Sequence, residues 1–256
     1  MRTRQWIQSV LLLFLGLYML DNMLTGRIWL YINERFGWLS WIGTGILLAI
    51  GVIGVLDLLR GGREEHDHEH HEHAHAHEHG HDHGTAPSWP KLALVGLPLV
   101  MGILIPARPL GASAIGSSGV STHFSAIQGT GSSTQLAVAP TERNVLDWVR
   151  AFNGSNNVQE FSGQQADLIG FVYRDIRFKD ASQFMVARFT ISCCVADATA
   201  LGVIVQWPDA PRLAQDSWVH VRGKFQVQNF DSQQTPILVA ETVEPTSQPE
   251  HPYLYP

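Results

Sequence analysis

The sequence predicts a helical membrane region followed by a small all-β domain with one short helix. Two observations point to this fold class. Charged residues make up only 16% of the chain, against about 25% in an ordinary soluble protein, and apolar residues are concentrated in the first 106 positions. The pattern later changes to short alternating runs separated by polar turns, which is typical of strands. A length of 256 residues accommodates both parts.

Two apolar segments are long enough to cross a bilayer. They cover about 6–24 and 38–59 within the stretch 1–63, and each is close to the roughly 20 residues that a spanning helix needs. No small-residue cleavage site follows the first segment, which favours a retained helix over a cleaved signal peptide. Small residues that would let another helix approach closely occur in the second segment at Gly43, Gly45, Gly51 and Gly54.

A third apolar segment, 89–106, is shorter. As a helix its 18 residues cover about 27 Å, just short of a hydrocarbon core of roughly 30 Å. Pro98 is expected to kink it, which membrane helices tolerate, and local thinning of the bilayer lets a short helix span. We therefore predict a third transmembrane helix. The small residues 112–114 leave open a signal-like cleavage behind it.

Positive charge orients these segments. Five Lys or Arg residues flank one side and three flank the other, and the larger number marks the cytoplasmic side. We therefore expect a multi-pass protein of the bacterial cell membrane, with the amino terminus and the loop 64–88 in the cytoplasm and the carboxy-terminal domain outside. The two groups are Arg2, Arg4, Arg60, Arg63 and Lys91 against Arg27, Arg35 and Arg108.

The carboxy-terminal part is predicted to be strand-rich. Residues 107–139 are rich in Gly, Ser, Ala and Thr, which indicates a flexible linker, and a short helix with Thr141 as its cap and Gly154 just past its end should follow. Alternating runs then cover 167–175, 184–193, 201–207, 217–227 and 236–244. Five short strands predict an OB-like five-stranded barrel for the domain 140–256.

Ten of the thirteen histidines form one run in the loop 64–88. They alternate with Glu, Asp and Ala, a composition typical of metal-binding tracts, and neutral imidazole binds Zn, Cu, Ni and Co. Because no fixed set of four ligands stands out, we expect loose binding of zinc or another divalent transition metal; a hydrophilic loop without this role is the alternative. The predicted metal ligands are His66, His68, His70, His71, His73, His75, His77, His79, His81 and His83.

Cys193 and Cys194 are the chemically specific feature of the β domain. Adjacent side chains on a regular strand face opposite ways, so Cys193 is expected in the core and Cys194 toward solvent, with the two sulfurs unable to chelate one ion. Ordinary packing, a disulfide and a soft metal or metalloid contact by Cys194 all stay open. Asp197 and His220 would complete a mixed extracytoplasmic site if the fold brought them together.

Composition argues against two functional classes. From residue 140 onward, nine Lys or Arg stand against thirteen Asp or Glu, so we expect no nucleic-acid partner. The sequence offers no Ser-His-Asp spacing, glycine-rich phosphate loop or paired carboxylates suited to acid-base chemistry. We therefore predict no catalytic residues and no enzyme activity.

Three stretches resemble the bacterial YcgQ family of permease subunits: RFTISCCVADATALGVIVQW (188–207), DSWVHVRGKF (216–225) and PEHPYLYP (249–256). The layout of membrane region, histidine-rich loop, last span, linker and strand-rich domain is also similar. The resemblance implies an accessory subunit that works beside a larger multispanning permease in a two-component transporter. Among site positions it carries over only Cys193, Cys194 and Asp197.

Two functions fit the sequence. In the first, the chain is an accessory membrane subunit of a two-component permease linked to divalent metal handling, and its cytoplasmic histidine run collects the metal. In the alternative, it is a non-transport envelope scaffold whose β-barrel docks a protein or glycan, and the run is incidental. The expected partners are the permease and membrane lipid.

Overall fold

The computed structural model describes residues 2–60, 89–115, 120 and 138–256. The ten predicted histidine ligands and most of the predicted linker lie outside these residues. The chain divides into two compact units. We call Met1–Ile28 with Phe36–Ala107 the helical unit, and Trp29–Arg35 with Arg108–Pro256 the sheet unit.

The helical unit contains α1 (Arg2–Leu24), α2 (Gly37–Leu59) and α3 (Trp89–Leu104). Two stretches, Gln5–Leu24 and Glu34–Leu59, are long and apolar enough to cross a membrane, with mean hydropathies of 1.6 and 2.3. Only 22% and 11% of their most apolar windows are buried, whereas the apolar core helix of a soluble domain is buried. At 16 residues, α3 is shorter than either.

Small residues let α1 and α2 approach each other. A β-carbon on Gly51 would lie 2.9 Å from the backbone nitrogen of Leu13, and one on Gly54 would meet the side chain of Ser9, also on α1. Gly43 and Gly45, in contrast, have no atom of the described residues within 4 Å. Two of the four glycines predicted to face another helix therefore face α1.

The sheet unit contains one helix and a six-stranded sheet. The strand order is β1-β4-β5-β3-β2-β6, and β1 also pairs with β2, so the first five strands form a partial ring. The β3–β5 contact is parallel and covers two residue pairs, which makes it the weakest part of that ring. The elements are α4 (Val145–Gly154), β1 (Gln165–Tyr173), β2 (Gln183–Thr190), β3 (Thr199–Gln206), β4 (Trp218–Phe230), β5 (Gln233–Pro245) and β6 (Tyr253–Leu254).

The predicted strand-rich character is thereby confirmed, with corrections at several ends. The predicted cap of the short helix, Thr141, is wrong: the Asn144 side chain accepts hydrogen bonds from the backbone nitrogens of Leu146 and Asp147, and Gly154 is the last helical residue. The two-residue turn between β4 and β5 has positive φ at Asp231 (49°) and Ser232 (65°), as tight hairpins of this twist require. The terminal strand β6 carries no alternating pattern long enough to predict it.

Aromatic packing holds α4 on the sheet. Trp148 is fully buried, and its ring centroid lies 4.6 Å from that of Phe225 on β4. Phe152 and Phe161 complete this aromatic cluster. On the other face of the sheet, Phe171 and Phe189 have centroids 5.7 Å apart in a stacked arrangement. Large aromatic side chains thus supply much of the buried apolar area that stabilises the unit.

Candidate functional site: the Cys193–Asp197 turn

The two cysteines lie after β2 rather than on it. Because β2 ends at Thr190, the predicted strand to Cys193 was too long. Cys193 is exposed and Cys194 is half-buried, so the prediction of a core Cys193 is wrong, whereas Cys194 is partly open to solvent as predicted. Side chains alternate between faces only along a regular strand, and the chain here turns into a short 3-10 helix, Val195–Asp197.

The turn brings the sulfur atoms together. Cys193 Sγ lies 3.7 Å from Cys194 Sγ. The expectation that the two sulfurs face apart is wrong for the same reason, since it assumed a regular strand. Both thiols therefore belong to one surface feature, which we call the Cys193–Asp197 turn.

Asp197 stabilises this turn through its carboxylate. Its oxygens accept hydrogen bonds from the backbone nitrogens of Ser192 (2.9 Å) and Cys193 (2.7 Å), and its own N–H donates to the carbonyl of Cys194 (3.0 Å). Partial desolvation disfavours the charged carboxylate, but the hydrogen bonds from Cys193 and Ser192 outweigh it and hold the pKa of Asp197 below its ordinary value. The turn therefore carries a negative charge at neutral pH.

That carboxylate also affects the neighbouring thiol. The hydrogen bond between the Cys193 side chain and Asp197, followed by the one to Cys194, raises the pKa of Cys193 to about 11. Cys193 is therefore protonated at neutral pH. Because the thiolate is the nucleophile, this environment does not suit an activated catalytic cysteine.

The connecting segment Trp29–Arg35, which joins α1 to α2, pairs with this turn inside the sheet unit. Ile32 forms an antiparallel bridge with Cys194. The carbonyl of Tyr31 accepts from the backbone nitrogen of Val195 (2.9 Å), and the backbone nitrogen of Asn33 donates to the carbonyl of Cys193 (3.0 Å). These bonds fix the backbone of both cysteines.

Side chains add to the same attachment. Asn33 is buried, and its amide donates to the carbonyl of Ser192 (2.8 Å). Glu34 pairs with His251 (Oε1 to Nδ1, 2.8 Å), and the Tyr253 hydroxyl donates to the carbonyl of Leu30 (3.2 Å). The connecting segment thus contacts both the turn and the carboxy-terminal tail.

Arg188 on β2 binds that tail through hydrogen bonds from its guanidinium. It is 7% exposed, and its guanidinium donates to the carbonyls of Ile169 (3.2 Å), His251 (2.9 Å) and Pro252 (2.9 Å). The guanidinium also lies 5.2 Å from the centre of the Trp218 ring. Burial lowers the pKa of Arg188 to about 10, so its side chain stays charged at neutral pH. The three carbonyl groups accept the hydrogen bonds of the buried guanidinium.

His220 has other partners than the cysteine turn. On β4 its ring pairs with the Asp167 carboxylate of β1, and the same carboxylate accepts from Arg222 Nε (3.0 Å). The fold therefore unites Cys193, Cys194 and Asp197, whereas the contacts of His220 are with Asp167. Among the described residues no group of three or more His, Cys, Asp or Glu side chains is arranged to hold a metal.

Sequence reasoning missed the connecting segment and the tail as parts of this site. Asn33 and Tyr253 reach the turn region from far away in the chain, and single-sequence periodicity carries no information on such distant pairings. One local signal was present: Asp197 follows Ser192 and Cys193 closely enough for its carboxylate to bond their backbone, as Asp often does in turns.

Comparison with known proteins gives consistent matches along the chain. Models described as the DUF1980 N-terminal domain and the DUF1980 C-terminal domain match residues 7–121 and 130–256. A protein of Streptococcus mutans serotype c named "Putative two-component membrane permease complex subunit" is 23% identical over 278 residues, covering 94% of this chain and 94% of that protein. The UPF0703 protein YcgQ of Bacillus subtilis is 26% identical over 98 residues, covering 38% of this chain and 34% of that protein.

A solved structure, the small single-stranded DNA-binding protein from Streptomyces coelicolor, aligns with 33% of this chain and 93% of its own length. The sequence identity is 13% and the TM-score is 0.23. A similarity this weak carries no inference about fold or ligand.

Proposed function

This chain belongs to the DUF1980 family, as the resemblance to YcgQ predicted, and on that premise we propose that it is the accessory membrane subunit of a two-component permease complex. The observation that carries the proposal is the Streptococcus mutans relative of that name, which aligns over 94% of both chains. Two helices long and apolar enough to span a membrane support it. The relatives' names favour a permease subunit over an enzyme or an unconnected scaffold.

The partner in this proposal is a larger, multispanning permease. Exposed apolar side chains occur along α1 and α2, for example Phe14 (58% exposed) and Ile53 (63% exposed). Lipid tails and the apolar helices of a second membrane protein both suit such a surface. Gly43 and Gly45, with no described neighbour within 4 Å, leave a place on α2 where a partner helix can approach closely.

For the sheet unit we propose an OB-like module outside the cytoplasm. The pairing β1-β2-β3-β5-β4-β1, with β3 and β5 parallel, supports a five-stranded, partly open ring of that type. The connecting segment supports this side of the membrane for the sheet unit. If α1 and α2 both span, the segment between them lies on the side opposite the amino terminus, and it belongs to the sheet unit.

The remaining chain must then return to that face, so α3 crosses in this proposal. Its 16 residues cover about 24 Å, short of a core of roughly 30 Å, and bilayer thinning makes up the difference. The excess of positive charge beside the amino terminus supports a cytoplasmic amino terminus and, with three crossings, a sheet unit outside.

The cytoplasmic histidine run is the proposed collector of a divalent transition metal for this complex. Its imidazoles suit zinc and its neighbours in the periodic table, and multisite, exchanging binding suits delivery better than storage. The sequence of residues 66–83 is the sole support for this part of the proposal.

Affinity purification tests the partnership. The full chain, extracted in mild detergent from its own organism, should retain a multispanning membrane protein that is lost when Gly45→Leu fills the open face of α2. Gly154→Leu is the matched control, since a β-carbon at Gly154 also meets nothing within 4 Å but lies in the sheet unit. Purification of the chain without any multispanning protein, after crosslinking in intact cells, would contradict the proposal.

Metal handling is tested by replacing each of the ten histidines in 66–83 with Asn, which keeps loop length and acidic charge. Cells carrying this variant should differ from cells with the unchanged chain in zinc, cobalt or copper content when the metal is limiting. If the cellular content of all three metals is the same in both strains and the partner still co-purifies, the metal role is contradicted and the permease proposal stands.

Topology is tested with alkaline phosphatase, which is active only outside the cytoplasm. A fusion after Pro256 should be active and a fusion after Arg60 inactive. Inactivity at both positions, with full-length fusions present in the membrane fraction, would mean that α3 does not cross.

A further inference from the structure

The Cys193–Asp197 turn is a second candidate metal site, separate from the histidine run. We propose that Cys193 and Cys194 chelate one thiophilic d10 cation, Zn²⁺ or Cu⁺, through both sulfur atoms. This proposal does not depend on the permease function, because it rests on the geometry of the sheet unit alone.

The separation of the sulfurs carries the proposal. A metal–thiolate bond is about 2.3 Å long, and a tetrahedral ion with two such bonds holds its sulfurs about 3.8 Å apart. The two sulfurs lie 3.7 Å apart without any ion. The site therefore needs little rearrangement to bind, and the regular strand expected from the sequence would have excluded it.

The backbone under both cysteines is already fixed. Asp197 binds the Cys193 nitrogen, Asn33 binds the Cys193 carbonyl, and Ile32 bridges Cys194. Ordering two thiols for chelation costs conformational entropy in a flexible loop, and a held backbone lowers that cost. The connecting segment is thus a structural support of the metal site.

Charge and ligand softness select the class of ion. Thiolates prefer Cu⁺ and Zn²⁺ over hard cations such as Mg²⁺ or Ca²⁺. On binding, two S–H bonds break, two metal–sulfur bonds form and two protons pass to solvent, with no change of oxidation state. The Asp197 side chain, whose oxygen accepts from the Cys193 backbone nitrogen, places carboxylate oxygens next to the two sulfurs.

The site is open, which suits exchange rather than storage. Structural zinc sites use four protein ligands, whereas no group of three or more His, Cys, Asp or Glu in the part of the chain that the structure describes is arranged to hold a metal. Two coordination positions are left for ligands from solvent or from another molecule. Cys193 is exposed, so such a ligand can reach the ion.

Optical titration of the full chain in detergent tests this site directly. The chain has two cysteines in all, so a thiolate-to-metal charge-transfer band reports on this turn and cannot arise from the histidine run. Metal-free, reduced protein is titrated with Co²⁺, as the spectroscopic substitute for Zn²⁺, and separately with Cu⁺ against a competing chelator. We expect saturation at one ion per chain with at least one of them.

Single variants distinguish chelation from monodentate contact. Cys193→Ser and Cys194→Ser should each weaken binding by about 100-fold or more, since removing even an outer-shell partner of a metal costs 10–100-fold. His220→Asn is the matched control and should leave the band unchanged. In the unmutated protein, reversible blocking of the thiols with methyl methanethiosulfonate should abolish the band, and reduction should restore it.

Three results would overturn the proposal. They are absence of the band with both ions in reduced protein, a band that survives one of the serine variants at full affinity, and saturation at half an ion per chain, which would mean sharing between two molecules. A response to Co²⁺ alone identifies a zinc-type site, and a response to Cu⁺ alone identifies a copper-type site.

Discussion

The helical unit and the sheet unit differ in where their large apolar side chains lie. In the helical unit large apolar residues such as Trp38 (61% exposed) and Leu59 (65% exposed) lie on the outside, and close contact between α1 and α2 occurs at glycines. In the sheet unit Trp148 and Phe225 are fully buried, and large side chains form the centre of the core. The first arrangement suits lipid as solvent and the second suits water.

The same chemical change should therefore have different consequences in the two units. Truncating a large apolar side chain should unfold the sheet unit but leave the helical unit intact. In the helical unit the sensitive change should instead be the enlargement of a glycine at the α1–α2 contact.

The largest effect is expected from Trp148→Ala. Its ring is the centre of the aromatic cluster under α4, and removing a buried aromatic ring costs about 3–5 kcal/mol of the free energy of unfolding. Trp38→Ala removes an equally large ring from the exposed side of α2 and should change the free energy by less than about 0.5 kcal/mol. Denaturant unfolding of the full chain in detergent, followed by near-UV circular dichroism, measures both.

Trp148→Phe separates the contribution of an aromatic ring from that of the indole nitrogen. The indole nitrogen of Trp148 is buried with no hydrogen-bond partner among the described residues, so phenylalanine keeps much of the ring packing and removes an unsatisfied donor. We expect it to cost clearly less than alanine. Equal losses for both variants would mean that the indole's full size, rather than an aromatic ring, holds α4 in place.

A smaller effect, with a pH signature, is expected from Asp175→Asn. The Asp175 side chain is 3% exposed, and Arg177 donates to both its carboxylate oxygens at 2.7 Å. The hydrogen bond from Arg177 holds the pKa of Asp175 below its ordinary value of 3.8, against partial desolvation. Losing hydrogen bonds between charged groups should cost about 2 kcal/mol at neutral pH.

The sign of the pH dependence follows from the lowered pKa. The stability contributed by Asp175 is fully present above pH 3.8, the ordinary value, and is lost as pH falls through the lower folded pKa. The difference in unfolding midpoint between the unchanged chain and Asp175→Asn should therefore shrink below that value. Glu241→Gln is a control, because its pair with Lys224 is half-exposed on both sides and surface pairs contribute little. A constant difference down to strongly acidic pH would contradict this assignment.

The two units also differ in what the sequence could predict. Hydropathy is a one-dimensional signal, so α1 and α2 could be located within a few residues from composition alone. Alternation located the five longer strands of the sheet unit but not their ends, because a strand ends where its pairing stops. Extending the alternation past the end of β2 therefore put Cys193 wrongly in the core.

The candidate site lay mostly beyond sequence reasoning for a related reason. Cys193, Cys194 and Asp197 are close in the chain, and their association could be foreseen. The contributions of Asn33, Arg188 and Tyr253 depend on pairings between distant segments, which leave no local pattern. His220 was grouped with the cysteines by residue type, whereas the β1–β4 register brings it to Asp167.

The smallest effect is expected at the helix contact, from Gly51→Ala compared with Gly45→Ala. Both changes gain the same helix propensity, about 1 kcal/mol, but the new β-carbon at Gly51 would lie 2.9 Å from the Leu13 nitrogen, whereas the one at Gly45 meets open space. Because overpacking costs about 1–3 kcal/mol, Gly51→Ala should be the less stable of the two by about that amount. Unfolding of helical content by added SDS measures the difference. Equal stability would mean that α1 and α2 do not pack through Gly51, and the contrast between the two units would then rest on exposure alone.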